Sequence, residues 1–330
     1  MTFAQTRRRF LTMTALAGAS GIMTSRRGWA AEPALETTTV RLGRMPVICF
    51  APQYVCEALL RADGFTDVRY VDTTVPTQAQ ELGEGKLHFQ SNLAHEWAIA
   101  IDRGLPITVL TGMHAGCYEL FAHEGIRGIA DLKGKSVGQL GGTRLISMMV
   151  AYVGLDPKKD LTLAGDPDLK PLQLFVQGKL DAYLALPPEP QELHARKVGH
   201  VILRTAVDRP WSQYFCCMLA ANRGYAARYP AATKRVIRAV LKAADLCASE
   251  PELAARLIVE GGFTERYEYA LQTLTENPYG AWREYYAEDT MRFYALRLHE
   301  LGMIKTDPKT IIAKGTDWRF LNELKRELKA

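Results

Sequence analysis

Gly125-Ile126-Arg127-Gly128-Ile129-Ala130-Asp131-Leu132-Lys133-Gly134-Lys135-Ser136-Val137-Gly138, with Gly141-Gly142-Thr143 two residues further on, is the stretch on which the fold of this chain turns. It opens a set of alternating elements that begins near Leu120, and its Gly-Gly-Thr precedes a helical segment at 144–153. Downstream, 172–178 reads as a helix and 180–186 as a strand, which Pro187-Pro188-Glu189-Pro190 stops. Upstream lies a first set. It comprises a strand at 39–42, a loop with Pro46 and Pro52, a helix at 53–62 and a strand at 67–71. A helix at 77–83, a short segment at 88–90, a helix at 93–103 and a strand at 107–111 complete it. Strand–helix alternation of this kind predicts parallel sheets covered by helices on both faces. From about Pro230 the pattern changes to amphipathic helices, at 231–249, 251–259, 265–275, 288–302 and 317–329. No linker separates the two sets, so two interleaved α/β lobes are expected.

Composition agrees with a folded chain of about two domains, since 48% of the 330 residues are hydrophobic and 23% charged. The formal charge of +5 is carried by Arg7, Arg8, Arg9, Arg26 and Arg27, which have no acid among the first thirty residues. Without them basic and acidic residues balance, which removes the electrostatic case for a nucleic-acid partner. Thr6-Arg7-Arg8-Arg9-Phe10-Leu11-Thr12, a weakly apolar stretch at 13–23, a second basic pair and small residues around Trp29-Ala30-Ala31 have the layout of an export signal. The pattern is similar to the twin-arginine type, with Thr12 where that type has Lys. Residues 1–30 are therefore expected to be a signal peptide cut after Ala30. No lipobox cysteine follows, so a protein free in the periplasm is expected. The apolar stretch is far short of the roughly 18–20 residues that a membrane span requires.

Six cysteines, Cys49, Cys56, Cys117, Cys216, Cys217 and Cys247, are too few for a disulfide scaffold and show no metal-ligand spacing. Buried free thiols are the expected state, with Cys49–Cys56 and Cys117–Cys216 as open alternatives. If Cys216 and Cys217 lie on a strand, they point to opposite faces.

Seven local motifs in register carry a family resemblance. They are the first strand running into Ala51-Pro52-Gln53-Tyr54-Val55; Glu84-Gly85-Lys86-Leu87-His88-Phe89; and Gly104-Leu105-Pro106-Ile107-Thr108-Val109. The quoted stretch at 125–137, Gly141-Gly142-Thr143, Gln177-Gly178-Lys179-Leu180-Asp181-Ala182, and the segment 225–230 complete the set. Together they resemble the solute-binding proteins of ABC importers of the nitrate/sulfonate/taurine type, which share a domain with thiamine pyrimidine synthases. The resemblance implies an α/β, type II periplasmic binding fold: two α/β lobes joined by a two-crossing hinge, with a helical C-terminal extension. It puts 31–119 and 216–330 in lobe one and 120–215 in lobe two, with crossings near 118–123 and 205–215. A monomer without metal or cofactor, closing on a small solute and delivering it to a permease that is a separate chain, is what it implies about function.

Candidate cleft residues are those in turns that follow strands, where open α/β sheets bind ligands. In lobe one these are Arg44, Pro46 and Tyr54, then Ser91 and Asn92, which could cap the next helix or turn toward ligand. His114, Tyr118 and Glu119 sit at the first crossing, where Glu119 could face ligand or form an inter-lobe salt bridge. In lobe two, Gly142, Thr143 and Arg144 open a helix whose N–H groups favour an anion or polar acceptor, without the spacing or lysine of a P-loop. Glu189 matches the acidic position of the family's "W-x-[ED]-P" segment, where Pro188 replaces the aromatic. Trp211, Gln213 and Tyr214, at the second crossing, could supply stacking and an amide. Two carboxylates, several aromatics and few cations favour an amine- or amidine-bearing heterocycle, such as a thiamine-precursor pyrimidine, over a sulfonate or nitrate.

Two other classes stay open at this level. A thiamine pyrimidine synthase-like enzyme would consume a histidine and pyridoxal phosphate; His95 with Glu96 is the pair to examine, although no lysine is close to it in sequence and Phe215-Cys216-Cys217-Met218 carries only two cysteines. An interaction module would expose the apolar stripe of the last helix, Trp318, Phe320, Leu321, Leu324 and Leu328.

Overall fold

The computed structural model describes residues 32–328, so the expected signal peptide and its cut after Ala30 lie outside the described residues. From Leu35 onward the chain is one compact unit holding two five-stranded sheets. The first contains β1 (Thr39–Arg44), β2 (Asp67–Asp72), β3 (Phe89–Leu93), β4 (Ile107–Ala115) and β10 (Phe215–Asn222), in the order β2-β1-β3-β10-β4. The second contains β5 (Glu119–Ala122), β6 (Lys135–Gln139), β7 (Leu161–Ala164), β8 (Ala182–Ala185) and β9 (His200–Arg204), in the order β7-β6-β8-β5-β9.

The strand–helix alternation predicts parallel pairing, and β1–β2, β1–β3, β6–β7 and β6–β8 are parallel. Each sheet also takes an antiparallel strand, β10 in the first and β5 in the second. The reason is the connectivity. Both strands follow directly on a crossing from the other sheet, so they enter from the cleft end, opposite to strands fed by a helix on the same lobe. The chain crosses at 116–118 and returns at 205–214. The first crossing is thus earlier and shorter than the expected 118–123, because Glu119–Ala122 is already β5, paired with β8 and β9.

Two glycines make the crossings possible. Gly116 has φ +74°, and a Cβ there would lie 2.5 Å from Ala206 Cα, so the outgoing and returning crossings touch backbone to backbone. At Gly112 a Cβ would lie 2.2 Å from ring atoms of Phe215, the first residue of the returning strand. β4 is buried along its whole length and β10 along all but its last residue, which makes them the centre of the core.

The C-terminal third is helical as expected. Prolines open Pro230–Ser249 and Pro251–Glu260, where a fixed φ and a missing N–H are no loss. Tyr267–Glu276 and Ala287–Glu300 follow. A helix that the apolar periodicity does not announce, Pro308–Gly315, is started by Asp307, whose carboxylate accepts from Lys309 N–H at 2.9 Å. The last helix, Arg319–Glu327, turns Phe320, Leu321 and Leu324 inward against Pro230–Ser249 and β4, so the stripe that an interaction module would expose is covered.

All six cysteines are buried free thiols. Cys56 donates to the Gln53 carbonyl at 3.1 Å, whereas Cys49 Sγ faces Cys217 Sγ at 3.7 Å, which removes the Cys49–Cys56 alternative. Cys216 and Cys217 do not point to opposite faces. A bulge between Phe215 and Cys217 breaks the two-residue alternation, and Cys117 Sγ lies close to both.

Candidate functional site

The C-terminal ends of four parallel strands converge between the lobes. Met45 and Pro46 follow β1, Asn92 and Leu93 end β3, Gln139 ends β6 with Leu140 and Gly141 just after it, and Leu186 to Glu189 follow β8; together with Phe50, Gln78, His95, Glu96 and Tyr118 they enclose a cavity of about 100 Å³. It adjoins a broader cleft of about 700 Å³, with Asn92, Glu96, Leu140 and Gly141 in both walls and Gln80, Arg103, Gly142, Arg144 and Gly165 further out.

Charge in this cleft is distributed unevenly. Glu96, on the lobe-one helix Ala94–Asp102, accepts from Arg144 Nη1 at 2.9 Å, and Arg144 opens the lobe-two helix Arg144–Tyr152. His95 Nε2 lies 3.4 Å from the same carboxylate oxygen. Burial by itself would raise the Glu96 pKa, but His95 and Arg144 outweigh it and hold the group below its usual value. Arg144 therefore clamps a carboxylate, and that carboxylate belongs to the opposite lobe. Among the described residues, no cation is in contact with Glu189. Its carboxylate accepts from the Tyr183 hydroxyl at 2.8 Å and from Leu186 N–H at 3.2 Å. Burial pushes its pKa up to about 7, against the opposing effect of those two donors.

Of the residues expected from sequence, Pro46, Asn92, Tyr118 and Glu189 line the inner cavity, and Asn92, Gly142 and Arg144 line the outer cleft. Thr143 is the N-cap residue of the Arg144–Tyr152 helix, without a side-chain capping bond. The others are engaged elsewhere. Arg44 donates to the Gly262 carbonyl at 3.0 Å and lies over the Phe263 ring. Tyr54 stacks on Phe263, with ring centroids 4.1 Å apart, and gives its hydroxyl to Met45 O. Ser91 donates to Gln53 Oε1 at 2.8 Å inside the core, on the opposite face of β3 from Asn92, and Asn92 Oδ1 accepts from its neighbour Leu93 N–H at 2.8 Å. Neither caps the following helix, because both lie within β3. His114 is fully buried between two backbone carbonyls. Glu119 pairs with His194 at 2.7 Å and Arg204 at 3.1 Å, partners from its own lobe rather than across the hinge. Trp211 packs edge-on to Tyr152 and Phe293, Tyr214 stacks on Phe293 at 4.0 Å, and Gln213 is exposed beside them, so this cluster is hinge packing. Glu189 is the first residue of the helix Glu189–Arg196, not part of an extended loop.

Comparison with known proteins fits this architecture. The model of the NMT1-like family matches residues 33–259, more than two thirds of the chain. The chain belongs to the NMT1-like family. Among solved structures it is similar to the periplasmic nitrate-binding protein NrtA from Synechocystis PCC 6803, at 17% identity over 90% of each chain with a TM-score of 0.76. It is also similar to the periplasmic aliphatic sulphonate-binding protein SsuA from Escherichia coli, at 18% identity, covering 81% of this chain and 88% of that one, with a TM-score of 0.66. The Candida albicans CA3427 gene product, described as having the generic periplasmic binding protein fold, matches at 13% identity over 84% and 96%, TM-score 0.64. No curated protein matches the sequence. The expected periplasmic binding fold of two α/β lobes, a two-crossing hinge and a helical C-terminal region is therefore the fold of this NMT1-like chain.

Several cleft residues of this NMT1-like chain escape a reading of turns alone. Gln139, as the last residue of β6, obeys the same strand-end rule as Asn92 at the end of β3. His95 and Glu96 stand out in sequence only as an adjacent acid–base pair; their place in the cleft depends on Arg144 reaching across. Gln78 is held by Gln90 Nε2 at 2.8 Å, a contact between two amides that no local pattern announces.

Proposed function

We propose that this chain is the periplasmic solute-binding component of an ABC importer, closing its two lobes on a small organic solute and handing it to a permease on a separate chain. The observation that carries the reading is the inter-lobe cavity, walled by the C-terminal strand ends of both lobes and bridged by the Glu96–Arg144 ion pair. A cavity built from two bodies on a hinge is complete only when they close, and closure is what a permease can sense. NrtA and SsuA, which share the fold, are binding proteins for nitrate and for aliphatic sulphonates. In this reading the protein works as a monomer, with residues 1–30 removed after Ala30 on export by the twin-arginine route.

For the solute itself we favour an amine- or amidine-bearing heterocycle, an aminopyrimidine being the simplest case. Arg144 is neutralised by Glu96 before any ligand arrives, and Glu189 has only neutral donors, so the inner cavity offers an anion no Lys or Arg among the described residues, the remaining cation of the cleft, Arg103, lying out on the wall of its broader part. A cationic N–H donor brought to Glu189 would draw its proton off and form a charge-assisted hydrogen bond. Thermal-shift screening of the mature protein with aminopyrimidines, alkylamines, nitrate and alkanesulfonates tests the class, and mass spectrometry of solutes released on denaturation tests the carrier role. Stabilisation by nitrate or sulfonates alone would overturn the heterocycle while keeping the carrier. A covalent pyridoxal phosphate adduct, or ring loss from His95, would overturn the carrier in favour of the enzyme.

A further inference from the structure

Four thiols meet where the two hinge crossings join the first sheet. Cys117 belongs to the outgoing crossing and Cys216 to the start of β10, just after the return, and their Sγ atoms are 2.6 Å apart across 99 residues of sequence. That is well inside the contact distance of unbonded sulfur atoms, whereas Cys49 and Cys217 face each other at an ordinary 3.7 Å. Next to them His114 is fully buried, with Nδ1 3.0 Å from the Ala115 carbonyl oxygen and Nε2 3.0 Å from that of Cys49. Carbonyl oxygens only accept, and a neutral imidazole has a single N–H, so both contacts are satisfied only by the doubly protonated ring. A buried cation requires a buried anion. The surrounding thiols supply it: burial opposes ionisation of Cys216, but hydrogen bonds from Cys117 and Cys217 and the charge of His114 bring its pKa down to about 5. His114 is raised in turn; burial opposes its charge, and Cys49 and Cys216 favour it. Cys117 also lines an open pocket of about 140 Å³ with Tyr118, Ala206 and Asn277, which gives a small reagent a way in.

We propose that Cys117 and Cys216 are a site of oxidative modification, a thiol pair that a hydroperoxide converts to a disulfide joining the outgoing hinge crossing to the start of β10. The Cys216 thiolate attacks one oxygen of hydrogen peroxide; the O–O bond breaks, hydroxide leaves and takes a proton from solvent as water, and Cys216 becomes a sulfenic acid. The Cys117 sulfur then displaces the sulfenic hydroxyl, which departs as a second water with the Cys117 proton, and the S–S bond forms. The two sulfur atoms together give up two electrons, and the peroxide is reduced to two waters. The bridge ties the outgoing crossing at residue 117 to the start of β10 at residue 216, fixing that crossing covalently to the first sheet.

The test counts thiols with a maleimide under denaturing conditions, before and after hydrogen peroxide, and maps peptides by mass. The reduced protein is expected to show six reactive thiols, and the oxidised protein four, with a 117–216 cross-linked peptide lighter by two hydrogens. Cys117→Ser and Cys216→Ser should each lose no thiol pair to a bridge, whereas Cys247→Ser, in the distant helix Pro230–Ser249, should still lose two. Should either hinge variant fail to fold, the cross-linked peptide from the wild-type chain decides alone. Six thiols persisting, a Cys49–Cys217 bridge, or oxygen added to Cys216 without a link would each overturn the pairing. Stoichiometric zinc, copper or iron in the purified protein, with Cys49, Cys117 and Cys217 protected from the maleimide, would overturn it in favour of a metal site.

Discussion

Replacing Glu189 by Gln should reverse the order of stability of wild type and variant between acidic and alkaline pH. In the folded chain burial pushes the pKa of this carboxyl up to about 7, from the usual 4.5 of a glutamate. A raised pKa means that the native state holds the proton more tightly than the unfolded chain does. Its contribution to stability is therefore fully present below about pH 4.5 and is lost as the pH climbs through 7. Linkage between these two values gives a loss of about 2.5 kcal/mol from pH 5 to pH 8 that the wild type suffers and a glutamine, having nothing to ionise, does not. The substitution has its own cost. One amide oxygen must serve both the Tyr183 hydroxyl and Leu186 N–H, so about 1 kcal/mol of hydrogen bonding goes at every pH. The expected outcome is a variant about equal to or slightly below wild type at pH 5 and about 2 kcal/mol more stable at pH 8. Urea unfolding of the solute-free proteins at pH 5, 6, 7 and 8 measures the difference, and titrations shared by both proteins cancel. Stability curves that stay parallel across this range would refute the buried, protonated carboxyl.

Other outcomes follow from the same geometry. Arg144→Ala removes the strap between the lobes and should shift the open–closed balance about fivefold, equivalent to about 1 kcal/mol, toward open, seen as a larger radius of gyration in solution scattering; an unchanged radius would count against the strap. Gly116→Ala forces a Cβ against the Ala206 backbone at a left-handed φ and should cost about 2–4 kcal/mol in urea unfolding, a value that a tolerated substitution would contradict. Glu119→Gln should lower stability by no more than about 1 kcal/mol, since His194 and Arg204 are partly exposed partners, and leave solute affinity within about twofold. Glu189→Gln, by contrast, should weaken a cationic solute by more than about tenfold, or about 1.4 kcal/mol; equal affinities in titration calorimetry would separate Glu189 from recognition.

What the sequence makes legible here is order, and what it leaves hidden is orientation. The strand–helix alternation around 125–143 and the helical character beyond Pro230 are local patterns, and both appear in the structure with boundaries shifted by a few residues. The antiparallel strands are also implied by two crossings, once these are placed. Side-chain direction is another matter. Ser91 and Asn92 are adjacent, yet only Asn92 reaches the cleft, because strand alternation sends Ser91 to the fully buried amide of Gln53. Glu119 and Glu189 look alike as carboxylates near strand ends. Only their neighbours distinguish them: two bases beside one, a phenol and a backbone N–H beside the other. Those neighbours come from up to 85 residues away in the chain, as Arg204 does for Glu119, where no local periodicity can find them.

The position of β10 between β3 and β4 has a consequence for biosynthesis. A ribosome delivers β1 to β4 first and cannot complete the first sheet until residue 222 has emerged, after the entire second lobe. Until then β3 and β4 present unpaired edges of apolar backbone to the cytosol, while the second lobe, contiguous in sequence, has every strand that it needs. The inserted lobe is therefore the part able to mature first. A message truncated after residue 204 but before 222 would leave a product with one sound half and one half open to aggregation, and an earlier stop would leave neither half complete, so the first lobe stays vulnerable throughout the synthesis of the second.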